Sequence, residues 1–357
     1  MTKKKTYCIG VMSGTSLDGL DIALCSFWEE DNKPKFEIIE AETVNYSNDW
    51  YFKLLYMHYF YAYQFSLLNN QYGQFIGKQV NSFIEKHRIN KKDIAFIASH
   101  GHTVFHTPDK NITVQVGDGS AIYAETGIKT IYDFRRLDIY RGGQGAPLVP
   151  IGDHLLFSNY ELCLNLGGFA NISYASDNGR IAYDIVPVNI VLNGIAQSVG
   201  LKYDAEGEKA SRGHTNEELL ERLNLLEYYT KKPPKSLGRE WVEQNINPLI
   251  EVNDINVKDM LRTYVEHICI QINNAVSKFP KEKILVTGGG TYNTFLINRL
   301  QELCKHELVI PEKNIIEYKE ALIFAFLGYL KTTSRVNTLA SVTGAICDSI
   351  SGIVIEE

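Results

Sequence analysis

Runs of apolar residues broken by glycine turns divide the chain into two halves of similar plan. Tyr7–Val11 and Ile22–Phe27 read as strands on either side of a glycine-rich turn. Trp50–Leu68 and Gln74–His87 carry helical spacing and are rich in aromatics. Ile94–Ser99 is a continuous apolar run, the mark of a buried strand, and it ends at His100-Gly101-His102. Short strands are predicted at Thr113–Val116 and Lys129–Tyr132, with a helix at Ala121–Thr126 between them. Near Ile151 the plan begins again: Glu161–Leu166, the turn Gly167-Gly168, then Ala170–Tyr174. Helices follow at Asn189–Gly200 and Asp259–Ser277, a strand at Lys283–Thr287 closed by Gly288-Gly289-Gly290, and helices at Tyr292–Leu303 and Lys319–Leu330. The polar, proline-broken stretch from Lys231 to Glu240 reads as a loop, either a surface excursion or a segment that meets substrate.

The first turn carries the most chemistry. Gly14, Thr15, Ser16, Leu17, Asp18, Gly19, Leu20 and Asp21 bring glycines, hydroxyls and carboxylates together between two strands. Glycine lets backbone N–H groups approach phosphate oxygens, and a carboxylate can hold hydrated Mg²⁺. These eight residues are the candidate ATP-phosphate site, with Asp18 and Asp21 holding Mg²⁺ through its waters. No lysine follows the last glycine, so the common nucleotide loop is excluded. Two α/β units that each open with a strand–glycine turn–strand would place ATP in a cleft between them. There the turn Gly288, Gly289 and Gly290 would approach the adenosine.

Composition narrows the partners. A formal charge of −6 argues against nucleic acid as the main partner. No stretch is apolar and long enough to cross a bilayer, and the start lacks a signal-peptide core, so a cytoplasmic protein with no membrane partner is expected. The six cysteines include no C-x-x-C pair, and buried reduced thiols are expected.

Several segments match one family in order along nearly the whole chain. They are Gly10-Val-Met-Ser-Gly-Thr-Ser-Leu-Asp-Gly19, Ser99-His-Gly-His-Thr103 with His106 and Pro108, Asp133-Phe-Arg-Arg136, and Gly142-Gly-Gln-Gly-Ala-Pro-Leu-Val-Pro150. Leu164-Asn-Leu-Gly-Gly168, Pro233-Pro-Lys-Ser236, Thr287-Gly-Gly-Gly290, Glu320-Ala321 and Ser341-Val-Thr-Gly-Ala345 complete the set. On these residues the chain resembles 1,6-anhydro-N-acetylmuramate kinases. The resemblance implies the two-lobed fold of the sugar-kinase, heat-shock-ATPase and actin superfamily, with duplicated RNase H-like α/β domains and an interdomain ATP cleft. The expected lobes are 1–135, completed by 336–357, and 136–335. A homodimer is the candidate assembly.

The implied activity is ATP-dependent phosphorylation of the 6-oxygen of 1,6-anhydro-N-acetylmuramic acid with hydrolytic opening of the anhydro bridge. The products would be N-acetylmuramate 6-phosphate and ADP, a step in peptidoglycan recycling. Asp184 aligns with the family aspartate that activates water; the competing role for it is a cap on the helix that starts near Asn189. His100, His102, Arg135, Arg136 and Glu320 are the candidate substrate residues. A lactyl carboxylate needs a cation, and arginine can grip it with two hydrogen bonds. Glu320 is expected to open a helix.

The sequence also departs from the family. Asp184-Ile-Val-Pro-Val-Asn189 stands where Asp-Thr-Gly-Pro-Gly-Asn is usual, and His102 replaces a glutamine. The first departure raises a catalytically altered or purely sugar-binding protein as an alternative. The spacing of His102 and His106 raises a metal-dependent ATP-binding protein as another.

Overall fold

The computed structural model describes residues 4–177, 179–251 and 255–357. They form two compact units, Met1–Phe157 with Tyr318–Glu357, and Ser158–Glu317.

The first unit is built on β1 (Thr6–Ser13), β2 (Leu20–Glu30), β3 (Lys33–Val44), β4 (Ile94–Thr107), β5 (Ile112–Val116) and β6 (Thr130–Tyr132). The second holds β7 (Leu162–Leu166), β8 (Phe169–Ser176), β9 (Gly179–Pro187), β10 (Lys283–Thr287) and β11 (Glu307–Val309); β12 (Ile353–Ile355) returns to the first. Among the described residues the first sheet runs β12-β6-β4-β1-β2-β3 with β5 beside β4, and the second runs β11-β10-β7-β8-β9. In each, an antiparallel three-strand meander comes first, and parallel strands then join the far side of its first strand. Their shared order is the duplicated α/β plan expected of the actin-like superfamily.

Side-chain alternation along β1 sorts the first unit into layers. Ile9 and Val11 face a core that includes Tyr72, Ile76 and Phe83 of the helix Ala62–Lys86. On the other face Gly10 meets the helix Lys313–Thr332 so closely that a Cβ on Gly10 would lie 1.9 Å from the Ala321 carbonyl oxygen. Phe27 and Phe326 pack on that same side with ring centroids 5.3 Å apart and planes tilted by 40°. In the second unit the helix Val257–Val276 buries Leu261, Val265, Ile268 and Ile272 in a core shared with Leu164 and Ile172.

Several elements differ from their expectation. Trp50–Leu68 is not one helix: Asn48–Tyr56 ends in a 3-10 turn, and Phe60 and Tyr61 are extended. The polar stretch near Gly73 is helical instead. A Cβ at Gly73 would sit 2.6 Å from the Asp118 carbonyl, so this glycine admits a close neighbour instead of breaking the helix. The strand from Ile94 continues to Thr107 because β5 pairs with its second half. Glu320 does not open a helix; the helix begins at Lys313 and passes through a non-helical Tyr318. The compact units divide at 157/158 and 317/318, where 135/136 and 335/336 had been expected. Gly152 packs on Ile323, and Asp153 pairs with Lys319 at 2.7 Å, which ties residues 136–157 to the first unit. Among the described residues no helix is long and apolar enough to cross a membrane.

Candidate active site

The turn between β1 and β2 exposes Thr15, Ser16 and Asp18 while Leu17 is buried beneath it. Leu17 takes a left-handed conformation (φ 58°), and its N–H closes the turn on Gly14 O at 3.2 Å. Gly19 lies against β3: a Cβ there would be 2.5 Å from Thr43 Cγ2. Leu20 is fully buried at the start of β2, so what it offers a ligand is backbone. Asp21 accepts a hydrogen bond of 2.6 Å from Thr43 Oγ1. The side-chain donor set of this turn is all oxygen, from two carboxylates and the Thr15 and Ser16 hydroxyls, which is the chemistry that Mg²⁺ and its waters require.

Behind the turn runs a chain of hydroxyls that the sequence did not announce. Tyr72 and Tyr46 lie 2.6 Å apart, Tyr46 donates to Ser13 Oγ at 2.7 Å, and Ser13 Oγ meets His102 Nδ1 at 2.9 Å. Ser13 immediately precedes Gly14, so this network anchors one end of the turn. Burial pulls His102 down to about 4, which keeps its ring neutral.

His100 and Arg135 are brought together. Arg135 Nε donates to His100 Nε2 at 3.0 Å, and Arg135 Nη1 donates to Gly145 O at 2.8 Å. Burial draws Arg135 down to about 10, with the nearby Glu320 carboxylate acting the other way. Burial also holds His100 well below its ordinary value, and the positive charge of Arg135 adds to this. Glu320 meets solvent, yet desolvation by surrounding protein raises its carboxyl against the pull of Arg135 and Lys319. Arg136 points elsewhere. It pairs with Asp133 at 3.0 Å on the wall of a cavity of about 340 Å³, which Gln115, Asn69 and Tyr132 also line. The two adjacent arginines therefore have separate surroundings, as the helix opening at Arg136 turns the chain.

His102 and His106 lie on strand β4, where four residues span about 13 Å, too far to share one ion. His106 is engaged by Thr113 Oγ1 at 3.1 Å. Among the described residues no group of three or more His, Cys, Asp or Glu could hold a metal. The metal-dependent alternative therefore has no geometric basis here.

In the second unit Asp184 lies within β9, opposite Asn171 of β8. It caps no helix: the helix Asn189–Gln197 starts from Val188 without a side-chain cap. Its carboxylate Oδ2 accepts the Leu237 N–H at 2.9 Å, its backbone N–H donates to Lys235 O at 3.3 Å, and Tyr228 donates to its carbonyl at 2.6 Å. The proline-broken loop is thus neither a free excursion nor an open flap; it is pinned to β9 around Asp184. Lys235 completes the clasp, donating to Tyr228 O at 3.1 Å with its ammonium 4.5 Å from that ring's centre. Lys235 stands in the Pro233-Pro-Lys-Ser236 segment already singled out, whereas Leu237 and Tyr228 act through a backbone N–H and a ring hydroxyl for which the sequence carries no specific signal. Burial raises the Asp184 carboxyl above its ordinary range, and the Leu237 N–H offsets part of that.

The unusual residues after Asp184 have a plain structural role. Ile185, Val186 and Val188 are buried in the core of the second unit. The N–H groups of Val188 and Ile190 donate to Gly168 O and that of Asn189 to Gly167 O, so this backbone is tied to the glycine turn after β7. Gly288 (φ 87°) needs its missing side chain, since a Cβ would be 2.6 Å from Asn165 Oδ1. Gly290 packs on Leu166, and Gly289 lies toward Asn189.

The family model for anhydro-N-acetylmuramic acid kinase matches residues 6–357. A protein of that name from Mannheimia succiniciproducens is 34% identical, covering 98% of this chain and 99% of the relative. One from a Sulfurovum species is also 34% identical, covering 98% of each. Among solved structures, the (R)-2-hydroxyglutaryl-CoA dehydratase component A of Acidaminococcus fermentans aligns at 13% identity and TM-score 0.45, covering 92% of this chain and 99% of that one. A ligand-bound xylulose kinase from Lactobacillus acidophilus aligns at 12% identity and TM-score 0.44, covering 91% and 89%.

Proposed function

The chain belongs to the anhydro-N-acetylmuramic acid kinase family, and from that premise we propose how its residues divide the work. The protein is a kinase, and its acceptor is a sugar alcohol oxygen. The reaction joins the γ-phosphoryl group of ATP to O6 of 1,6-anhydro-N-acetylmuramic acid. The bond from O6 to the anomeric carbon breaks, and water supplies the new anomeric hydroxyl. The products are N-acetylmuramate 6-phosphate and ADP, in cell-wall recycling.

Asp184 is the general base. It takes a proton from the attacking water, which approaches the face opposite the leaving O6, as in an inverting glycosidase. O6 takes the phosphoryl group, so no separate acid is needed to protonate it. One observation carries the assignment: the Leu237 N–H fixes Oδ2, while among the described residues Oδ1 has no hydrogen-bond partner. The raised carboxyl makes Asp184 a stronger base than an ordinary aspartate.

The turn Gly14–Asp21 offers backbone and hydroxyl donors to phosphate, and Asp18 and Asp21 would hold Mg²⁺. That ion would neutralise charge on the phosphates. Gly288, Gly289 and Gly290 offer a backbone free of side chains to the nucleoside. Arg135 takes the substrate's lactyl carboxylate, with Glu320, whose carboxylate lies near it, as a further polar contact to the sugar. His102 supports the phosphate turn through Ser13, the residue that precedes Gly14. ATP and a salvaged sugar acid point to a cytoplasmic reaction. A homodimer is the proposed assembly, supported by the exposed aromatic run that includes Tyr59, Tyr61 and Tyr63.

The deciding experiment is turnover in heavy-oxygen water with mass analysis of the product. One label in the anomeric hydroxyl and none in the phosphate is expected. An unlabelled anomeric position would refute hydrolytic opening, and sugar binding without ADP release would refute the kinase assignment. Sedimentation at micromolar concentration tests the dimer; a monomer rejects it.

A further inference from the structure

We propose that His100 is a positioning residue, which by holding Arg135 at Nε decides which N–H groups of that guanidinium are offered to the carboxylate of the sugar acid. The inference rests on the assignment of Arg135 to that carboxylate made above.

Hydrogen-bond logic fixes the state of the ring. His100 Nδ1 lies 2.8 Å from Gly101 O, and a carbonyl oxygen can only accept. Nδ1 therefore carries the hydrogen. Arg135 Nε, 3.0 Å from Nε2, can only donate, so Nε2 is bare. The neutral Nδ1–H tautomer is the one state that satisfies both contacts; an imidazolium would set N–H against N–H. Phe324 packs on the ring at 4.6 Å between centroids, and the residue is 5% exposed, so bulk water does not compete for its nitrogens.

The guanidinium is held at a second point. Gly145 O takes a hydrogen from Nη1 at 2.8 Å. Gly145 is itself fixed, since its N–H donates to Asp138 Oδ2 at 2.8 Å and Thr343 Oγ1 donates to Asp138 Oδ1 at 2.7 Å. Asp138 is fully buried. Of the five N–H hydrogens of an arginine, the Nε hydrogen and one on Nη1 are committed. Among the described residues Nη2 has no hydrogen-bond partner. A carboxylate is therefore received at Nη2, and the Nε side is closed to it. An unheld arginine could present either edge and would lose more side-chain entropy on binding.

The test uses the full chain and two sugars, 1,6-anhydro-N-acetylmuramic acid and 1,6-anhydro-N-acetylglucosamine, which lacks the lactyl carboxylate. The readout is the ratio of their kcat/KM values. Arg135→Ala should collapse that ratio. His100→Leu should lower it by about 10–100-fold, the worth of a hydrogen bond to a charged group, while leaving the KM for ATP unchanged. His100→Gln should recover most of the ratio, because the amide oxygen can accept from Nε. If Arg135→Ala leaves the ratio intact, the carboxylate assignment fails. If Arg135→Ala collapses it but His100→Leu does not, the role of His100 alone is overturned. Should the leucine variant not fold, ¹⁵N NMR of His100 in the wild type decides instead. A protonated Nδ1 with a bare Nε2 at neutral pH is expected, and the opposite tautomer or an imidazolium overturns the proposal.

Discussion

Replacing Asp184 by asparagine separates chemistry from architecture at one atom. Asparagine has nearly the same shape, and its carbonyl oxygen can still accept the Leu237 N–H that Oδ2 accepts at 2.9 Å. The contacts through the main chain to Lys235 and Tyr228 do not involve the side chain and persist. What disappears is the ability to take a proton. Loss of a positioned general base costs about 10²–10⁴ in rate, equivalent to about 2.7–5.4 kcal/mol of barrier. Stability should move the other way. Burial raises the folded-state pKa of Asp184, so the folded protein holds this proton more firmly than the unfolded chain does. Stability linked to this group therefore falls as pH rises through the ordinary aspartate range and the raised folded value, and the penalty is complete at neutral pH. Asparagine removes that penalty, and the variant should melt at or above the wild-type temperature at pH 7.5. The acid limb of the wild-type rate profile should reflect protonation of Asp184, and it should be missing from the residual rate of the variant. Steady-state ADP release with both substrates saturating, together with a thermal melt, reads both effects. A variant within tenfold of wild type would remove Asp184 as base. A variant that loses rate and stability together would make it a structural residue.

Three further outcomes follow from the geometry. Gly10→Ala drives a Cβ to 1.9 Å from the Ala321 carbonyl oxygen, a backbone atom that cannot swing away; it should destabilise the first unit by about 1–3 kcal/mol or more, read as a lowered denaturation midpoint, and an unchanged midpoint would contradict the close packing. His267, held by Asn224 Oδ1 and Tyr229 Oη at 2.7 and 2.9 Å, is lowered by burial from 6.5 to about 3. The unfolded chain therefore gains a proton below about pH 6.5 that the folded protein refuses, so stability should fall with acidification toward pH 3 by up to about 1.4 kcal/mol per pH unit from this group; His267→Gln should flatten that slope, measured by urea titration at several pH values. Of the six free thiols only Cys347 is exposed, so alkylation of the native protein should label that residue alone, and rapid labelling of Cys8 or Cys269 would contradict their burial.

Much of this was legible in the chain itself, for identifiable reasons. Apolar runs on either side of glycine turns located β1, β2, β7 and β8, and the apolar run 283–287 coincides with β10. The long strand β3 was invisible, because Lys33–Val44 lies at the sheet edge and mixes charges with apolar residues on a half-exposed surface. The gap left between Leu68 and Gln74 is helical, and Gly73 within it serves a close packing contact. The candidate chemistry followed the same rule. Asp184 and Arg135 were visible as residue types in a motif, but their partners Leu237, Gly145 and Asp138 act partly through backbone groups, which a sequence does not display. The valines after Asp184, which raised the possibility of an altered activity, prove to be core, because burial depends on neighbours distant in the chain.

The first unit is discontinuous, and this bears on how the protein is born. A ribosome releases β1 to β6 long before it makes Ala321 and Phe326, the residues that cover the Gly10 face of that sheet. The middle of the polypeptide has no such wait, since Ser158–Glu317 is one uninterrupted stretch. Translation therefore reverses the usual amino-to-carboxyl order of domain maturation. The half made first must remain uncovered on one side until the whole second unit has been read and the segment from Tyr318 emerges, and a nascent-chain chaperone would find its work there.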